Sequence, residues 1–324
     1  MIRKAKKTKK KPGGKLGPRR GPATERMPSG AALPYRLDDC EGYTPGSVAC
    51  PGCGGALAMR HFLRAMGPDT AVVIPACCWA ILAGQFPYCS LTVPTVNCVF
   101  AAAAAVASGA GAGLRARGDT RTRVMAWVGD GGTYDIGLQS LSGALERNDD
   151  LLYVCYDNEA YMNTGIQRSS STPPGAWTTT TPQGKPRPKK NIMEIVTAHR
   201  IPYAATVSVA FPEDLRNKVE KAREIRGAKF IHVLSPCPPG WKSLSNETVK
   251  LARLAVDTKI APLYEVEDGL RWRLTAEPRG LPVEEFLSRQ GRFSRLAEPD
   301  IRRIQAEVDR NWAVLKRQAE VNPL

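Results

Sequence analysis

The chain has 324 residues with 43% hydrophobic content, enough for one large α/β domain with an arm or for two smaller domains. Its net charge of +15 suggests a nucleic-acid partner at first sight, but residues 1–20 hold ten Lys or Arg and no acid, so the other 304 residues carry only +5. The excess therefore reads as a solvated arm and not as a folded binding face, and without an apolar core segment that arm is no signal peptide.

In chain order, residues 1–35 read as a disordered basic tail. An α/β domain is expected over 36–260 and a distinct C-terminal arm over 261–324. "GGALAMRHFLRAMG" (54–67) places Leu57, Met59, Phe62, Leu63 and Met66 at helical spacing. "TAVVIPA" (70–76) is a buried strand, and a helix is expected over roughly 98–117. Strands at 123–128, 151–156, 204–209 and 229–234 alternate with helices near 134–147, 191–200 and 212–226. This alternation predicts a parallel sheet flanked by helices, with right-handed crossovers. "YEVEDGLRWRL" (264–274) alternates around Asp-Gly, a hairpin signal. The helix expected over 300–320 aligns Ile301, Ile304, Val308, Trp312 and Leu315 in one stripe, suited to packing on the domain or on a partner. Thr70 to Leu114 lacks any charge, but Pro75, Pro87 and Pro94 interrupt it. A span needs about 20 strongly apolar residues, so burial inside the protein is expected instead of a membrane.

In open parallel sheets ligands bind beyond the carboxyl ends of strands, and four such ends here carry unusual residues. Cys77-Cys78 follow the first strand, Gly129-Asp130-Gly131-Gly132 the second, Asp157-Asn158 the third, and Cys237 the 229–234 strand. Asp130 offers a carboxylate on a glycine turn that lets a diphosphate approach the backbone. The helix that follows would favour an anion at its N-terminus. Asn158 lies 28 residues on and offers a neutral oxygen, with a loop carbonyl to complete a Mg²⁺ site. Glycine–acid–glycine followed by such an Asn is the pattern by which thiamine diphosphate enzymes hold Mg²⁺-diphosphate.

Nine cysteines without an export signal suggest metal binding or catalysis before disulfides. Cys50 and Cys53 form a C-x-x-C pair before a helix, and Cys78 and Cys237 are candidate third and fourth ligands. Four thiolates can bind a structural zinc or an iron–sulfur cluster. A zinc ribbon would have a second close pair, so a cluster is favoured. Cys77 competes with Cys78 for the third position. Cys40, Cys89, Cys98 and Cys155 read as small buried residues, and His61, His199 and His232 as core or surface residues.

Together "ACPGCGGALAMR", "VGDGGTYDIGLQSLSGALERN", "YDNEAYMNTGIQRSSSTPPGA", "SPCPPGW" and "VEEFLSRQGRF" resemble the thiamine-diphosphate-binding β subunits of the 2-oxoacid:ferredoxin oxidoreductase family, of the pyruvate:ferredoxin type. The resemblance runs from about residue 45 to the C-terminus. It implies that Cys50, Cys53, Cys78 and Cys237 hold a [4Fe–4S] cluster. Asp130, Asn158 and the Ala160 carbonyl would bind Mg²⁺, while Gly129, Gly131 and Asn163 would contact or shape the diphosphate site. Asn158 falls where some relatives have Thr, and either supplies the oxygen. Ile166 and Arg168 differ from many pyruvate enzymes, which bears on the substrate.

The implied activity is oxidative decarboxylation of a 2-oxoacid, pyruvate first, with coenzyme A taking the acyl group and the cluster taking electrons singly on their way to ferredoxin. An aromatic or branched 2-oxoacid, or oxalate, is the alternative substrate. A non-redox thiamine lyase with structural zinc is the alternative class. The carboxylate that activates thiamine is expected on an α subunit, Asp157 and Glu159 being loop-fixing residues. Further γ and δ units would carry ferredoxin-like clusters. The complex is expected in the cytoplasm, without nucleic acid or membrane.

Overall fold

A computed structural model of the chain describes residues 42–85 and 88–324. The expected disorder of 1–35, and Cys40, lie outside the described residues. The elements run α1 (Gly54–Met66), β1 (Thr70–Pro75), α2 (Trp79–Leu82), β2 (Thr95–Cys98), α3 (Ala103–Ala116) and β3 (Arg123–Gly129). A π-helical turn (Gly131–Ile136) leads into α4 (Leu138–Glu146), β4 (Leu151–Asp157), α5 (Ile192–Thr197), β5 (Tyr203–Val207), α6 (Pro212–Glu224) and β6 (Ala228–Leu234). Then come α7 (Pro238–Trp241), α8 (Thr248–Asp257), β7 (Tyr264–Glu267), β8 (Arg271–Leu274), α9 (Glu284–Leu287) and α10 (Glu298–Val321).

The strands form one eight-stranded sheet in the order β2-β1-β3-β4-β6-β5-β7-β8. The first six are parallel, as expected, and the β7–β8 hairpin adds to β5 in antiparallel sense. Glu267 pairs with Arg271 across a three-residue loop, in which Asp268 and Gly269 have positive φ (55° and 65°) and Leu270 N–H closes a tight turn onto the Glu267 carbonyl at 3.0 Å. The hairpin therefore belongs to the main sheet, and the described residues form one compact unit.

Period-2 alternation splits β4 between two cores. Leu152, Val154 and Tyr156 join Phe62, Trp79, Trp127 and Ile231 on one face. Leu151, Tyr153 and Cys155 join Val73, Ala126, Phe230, Trp312 and Leu315 on the other. The stripe of α10 is divided as well: Trp312 and Leu315 seal the second core, while Ile301, Ile304 and Val308 pack on a third cluster around Trp241 and Phe286.

Several expectations need adjusting. The helix expected over roughly 98–117 begins only at Ala103, and Thr95–Cys98 before it forms an edge strand that was not expected. α8 was not among the expected elements, although Leu251, Ala252 and Ala255 mark its buried side. The helix after Gly129-Asp130 opens as a wide π turn, and a Cβ on Gly137 would come 2.1 Å from the Gly132 carbonyl, so only glycine closes that turn. Cys89 is exposed, against the buried expectation, while Cys155 is buried. No helix among the described residues is long and apolar enough to cross a membrane.

Candidate functional site

β1, β3, β4 and β6 are consecutive neighbours in the sheet. The four chemically unusual strand ends therefore lie side by side on its carboxyl edge, as their convergence in sequence suggested.

The oxygen side is built from Asp130, Asn158 and Ala160, which are 1%, 8% and 4% exposed. Ser169 Oγ donates to Asp130 Oδ2. One end of the Asn158 side-chain amide lies 2.9 Å from both Asp130 Oδ1 and Ala160 O, and with its NH₂ turned there it donates to both. A cation at this point would be met by the amide oxygen instead. Burial, and then the charge of Asp157, push the Asp130 carboxyl well above the usual carboxylate range, with Ser169 and Lys189 opposing. A cation at this point would reverse that balance.

The backbone carrying these oxygens is pinned at each step. Trp241 Nε1 donates to the Asn158 carbonyl (2.8 Å), and Thr172 Oγ1 donates to that of Glu159 (2.7 Å). Glu159 adopts φ +68° and gives its N–H to Asp157 Oδ1 at 2.9 Å, a turn closed by the preceding aspartate.

Asp157 is fully buried at the end of β4 and collects donors from Tyr134 OH (3.0 Å), Ser171 Oγ (2.6 Å) and Lys189 Nζ (2.7 Å), with His232 Nε2 at 2.9 Å. Burial works against its charge, but Lys189 and His232 outweigh it and hold the carboxyl far below its usual range. Glu159 pairs with Lys189 (2.9 Å) and with buried Arg292 (2.6 Å), whose guanidinium lies 4.1 Å over the Trp241 ring. Asp157 and Glu159 thus fix the loop, as expected.

Gly129 ends β3, and a Cβ on it would meet the Tyr156 hydroxyl at 3.3 Å. A Cβ on Gly131 would strike the Tyr161 ring at 2.2 Å, so the aromatic roof over this turn already requires glycine there. Tyr161 is in turn held by Asp135 (2.8 Å). Asn163 sits exposed on the loop that follows.

The thiol side adjoins. Cys53 caps α1, accepting from Ala56 N at 3.4 Å, and its own N–H reaches the Cys50 carbonyl at 3.0 Å. Gly54 N donates to Pro236 O at 3.0 Å, and a Cβ on Gly54 would meet the Pro236 ring at 2.8 Å. Glycine therefore lets the start of α1 press against the segment that carries Cys237. Burial, followed by the neighbouring thiols Cys77, Cys237, Cys53 and Cys50, pushes Cys78 up to about 12. Burial takes Cys237 to about 12 as well, against the Gly240 N–H, and also raises Cys53. Cys77 instead has Tyr156 and the backbone of Trp79, Ala80 and Gly129 as neighbours, toward the Asp130 turn. Met162 bridges the two sides, since a Cβ on Gly240 would find its sulfur at 2.1 Å and Cys237 Sγ at 3.4 Å. Among the described residues no three His, Cys, Asp or Glu side chains are spaced to share one metal ion.

Sequence reasoning did not single out Ser169, Ser171, Lys189, Trp241 or Arg292, and assigned His232 no part in this network. The "SSST" run after the loop was the available signal for the serines. Lys189 sits in a Pro-flanked basic run that reads as solvated surface.

Residues 78–233 match the family model described as "Thiamine pyrophosphate enzyme, C-terminal TPP binding domain". The chain is 50% identical over 296 residues to "Ketoisovalerate oxidoreductase subunit VorB" of Pyrococcus abyssi, covering 87% of this chain and 94% of that protein. It is 48% identical over 280 residues to "Pyruvate synthase subunit PorB" of Methanothermobacter marburgensis (85% and 97% covered). It is 46% identical over 301 residues to the "Pyruvate synthase subunit PorB" of Thermotoga maritima (86% and 93%). In fold it is similar to a chain of "2-oxoglutarate:ferredoxin oxidoreductase from Magnetococcus marinus with 2-oxoglutarate, coenzyme A and succinyl-CoA bound" (TM-score 0.54, 24% identity, 65% and 79% covered). With near-half identity across almost the full length of these relatives, the chain belongs to the β-subunit family of 2-oxoacid:ferredoxin oxidoreductases and is a thiamine-diphosphate-type subunit of a multi-subunit oxidoreductase.

Proposed function

We propose that Asp130, Asn158 and the Ala160 carbonyl hold the Mg²⁺ of thiamine diphosphate, that Cys50, Cys53, Cys78 and Cys237 hold a [4Fe–4S] cluster beside it, and that the complex oxidatively decarboxylates a small 2-oxoacid. The observation that carries this reading is the convergence of the buried Asp130 carboxylate, the Asn158 amide and the Ala160 carbonyl within 2.9 Å at the carboxyl ends of β3 and β4. Octahedral Mg²⁺ with ligands at about 2.0–2.1 Å sets adjacent oxygens about 2.9 Å apart, so the three groups are spaced for it once the amide presents its oxygen. Two things support the second half: Cys237, Cys53 and Cys50 all lie near enough to Cys78 to act on its thiol, and four thiolates drawn from separate segments of one domain suit a cluster.

Thiamine supplies an electron sink for loss of CO₂, and the cluster accepts electrons one at a time. The chain's own residues position and insulate. Ser169 holds the outer Asp130 oxygen. Trp241 and Thr172 fix the carbonyls flanking the ligand loop. Asp157, Lys189, Glu159 and Arg292 lock that loop to β6 and to the segment after α9. Gly129, Gly131 and Asn163 shape the diphosphate side. The carboxylate that activates thiamine comes from an α subunit, and γ and δ units with ferredoxin-like clusters lead to ferredoxin, with coenzyme A taking the acyl group. Pyruvate, or its branched relative 2-oxoisovalerate, is the substrate, since relatives named for each stand at 46–50% identity.

The test uses the anaerobically purified complex. Wild type binds thiamine diphosphate and Mg²⁺ stoichiometrically, whereas Asp130→Ala binds neither, and retained cofactor in the variant overturns the site. A panel of pyruvate, 2-oxoisovalerate, phenylglyoxylate, 2-oxoglutarate and oxalate, followed by reduction of a viologen dye, assigns the substrate.

A further inference from the structure

Trp79 directly follows Cys78 and has no exposed surface. Its ring is wedged between Tyr43 (centroids 5.3 Å apart) and Trp127 (6.0 Å, edge-on). Yet its indole N–H has no hydrogen-bond partner. Folded proteins seldom keep a buried donor unpaired, so one that also borders a thiol is a candidate donor to an acceptor which that thiol would hold.

The surroundings identify that acceptor by class. Gly55, in the first turn of α1, leaves open a space where a Cβ would meet Trp79 Nε1 at 3.6 Å and Cys53 Sγ at 3.8 Å. The nitrogen and the thiol therefore border one small gap. Tyr156 closes the gap on another side, its Cδ2 at 3.4 Å from that Cβ. Cys53 and the neighbour of Trp79 in sequence, Cys78, are two of the four residues assigned to the cluster. The acceptors that belong there are sulfurs. Thiolates and bridging sulfides of an iron–sulfur cluster accept N–H donors, and each such bond stabilises the extra electron of the reduced cluster.

We propose that Trp79 donates its indole N–H to a sulfur of the cluster held by Cys50, Cys53, Cys78 and Cys237, and so raises the reduction potential of that cluster. The inference rests on the cluster assignment above. Trp79 is a positioning and tuning residue, touching neither thiamine nor substrate. Its neighbour in the core, Trp127, also carries an unpaired indole N–H but stacks on Tyr156 (5.6 Å, 14°), and it serves as the control.

The experiment is an anaerobic redox titration of the purified complex, monitored by electron paramagnetic resonance, on the signal that Cys237→Ala removes. Trp79→Phe deletes the donor. Benzothienylalanine at position 79 replaces N–H by sulfur in a ring of the same shape, and it decides the matter where the Phe variant loses iron. The expected result is full iron and sulfide content with a more negative midpoint potential than wild type, and no shift in Trp127→Phe. An unchanged potential at full iron content overturns the proposal, as does an equal shift in Trp127→Phe, which would assign the effect to packing. Wild-type complex whose iron is unaltered by Cys237→Ala overturns the cluster assignment itself, and the inference with it.

Discussion

Asp130→Asn separates what the site does for a cation from what it does for the fold. Without a cation, burial raises the pKa of Asp130, which is 1% exposed, so the folded chain must hold a proton there that the unfolded chain has released at neutral pH. An asparagine at 130 has nearly the same shape and carries no such cost. Removing that cost gains about 1–3 kcal/mol at pH 7, and the gain shrinks as pH falls toward the ordinary aspartate pKa of about 3.9. At about 2–4 °C per kcal/mol, the cofactor-free variant melts about 2–12 °C above cofactor-free wild type. Ligand then reverses the order of effects: thiamine diphosphate with Mg²⁺ at 100 times its dissociation constant adds about 2.7 kcal/mol to wild type and nothing to the variant. Differential scanning fluorimetry of stripped and reloaded protein reads both arms. A stripped variant less stable than wild type, or one that still gains from the cofactor, would refute the reasoning.

Three further outcomes follow from named contacts. Glu265, 2% exposed, accepts from Tyr203 OH (2.6 Å), Lys221 Nζ (3.1 Å) and Arg273 Nε (3.0 Å); burial opposes its charge, but these partners prevail and lower its pKa. Its contribution is therefore complete above the ordinary glutamate pKa of about 4.3 and is lost as pH falls through the lower folded value, so Glu265→Gln costs about 1.5–3 kcal/mol at pH 7 and progressively less below about pH 4 by urea unfolding. Arg292→Met leaves Glu159 with Lys189 as its remaining ion-pair partner and costs about 2–3 kcal/mol, and adding Glu159→Gln recovers part of that loss; strictly additive costs in the double variant would show that the pair is not coupled. Cys78→Ser degrades the cluster while Cys77→Ser keeps full iron content, and the opposite pattern by iron analysis would exchange their roles.

The sheet was legible because β4 and β6 are short apolar runs and the helices between strands carry clear 3.6-residue periodicity. The carboxyl-edge chemistry was legible too, since a Gly-Asp-Gly turn and a polar Asp-Asn pair directly after buried strands have few structural uses. β2 was hidden because "TVNC" has two exposed positions and lies in an uncharged stretch with no helical or alternating period. The π turn was hidden because its cause is a close approach of Gly137 to Gly132, which sequence spacing does not encode. The partners of Asp157 and Glu159 were hidden for a different reason. Lys189 lies 32 residues after Asp157 and Arg292 lies 133 after Glu159, and nothing local marks a basic residue as buried.

The neighbourhood of β1, β3, β4 and β6 has a consequence for how the protein tolerates change. The strands at one end of the sheet, β5, β7 and β8, end in Val207, Glu267 and Leu274 and carry none of the assigned ligands. Substitutions there are filtered by packing alone and can be offset by repacking elsewhere. Along the four adjacent strands the same change shifts a backbone that aims ligands, and no compensating side chain restores an aim. A saturation scan scored separately for folding and for cofactor content would therefore coincide over β5, β7 and β8, and diverge over the middle of the sheet.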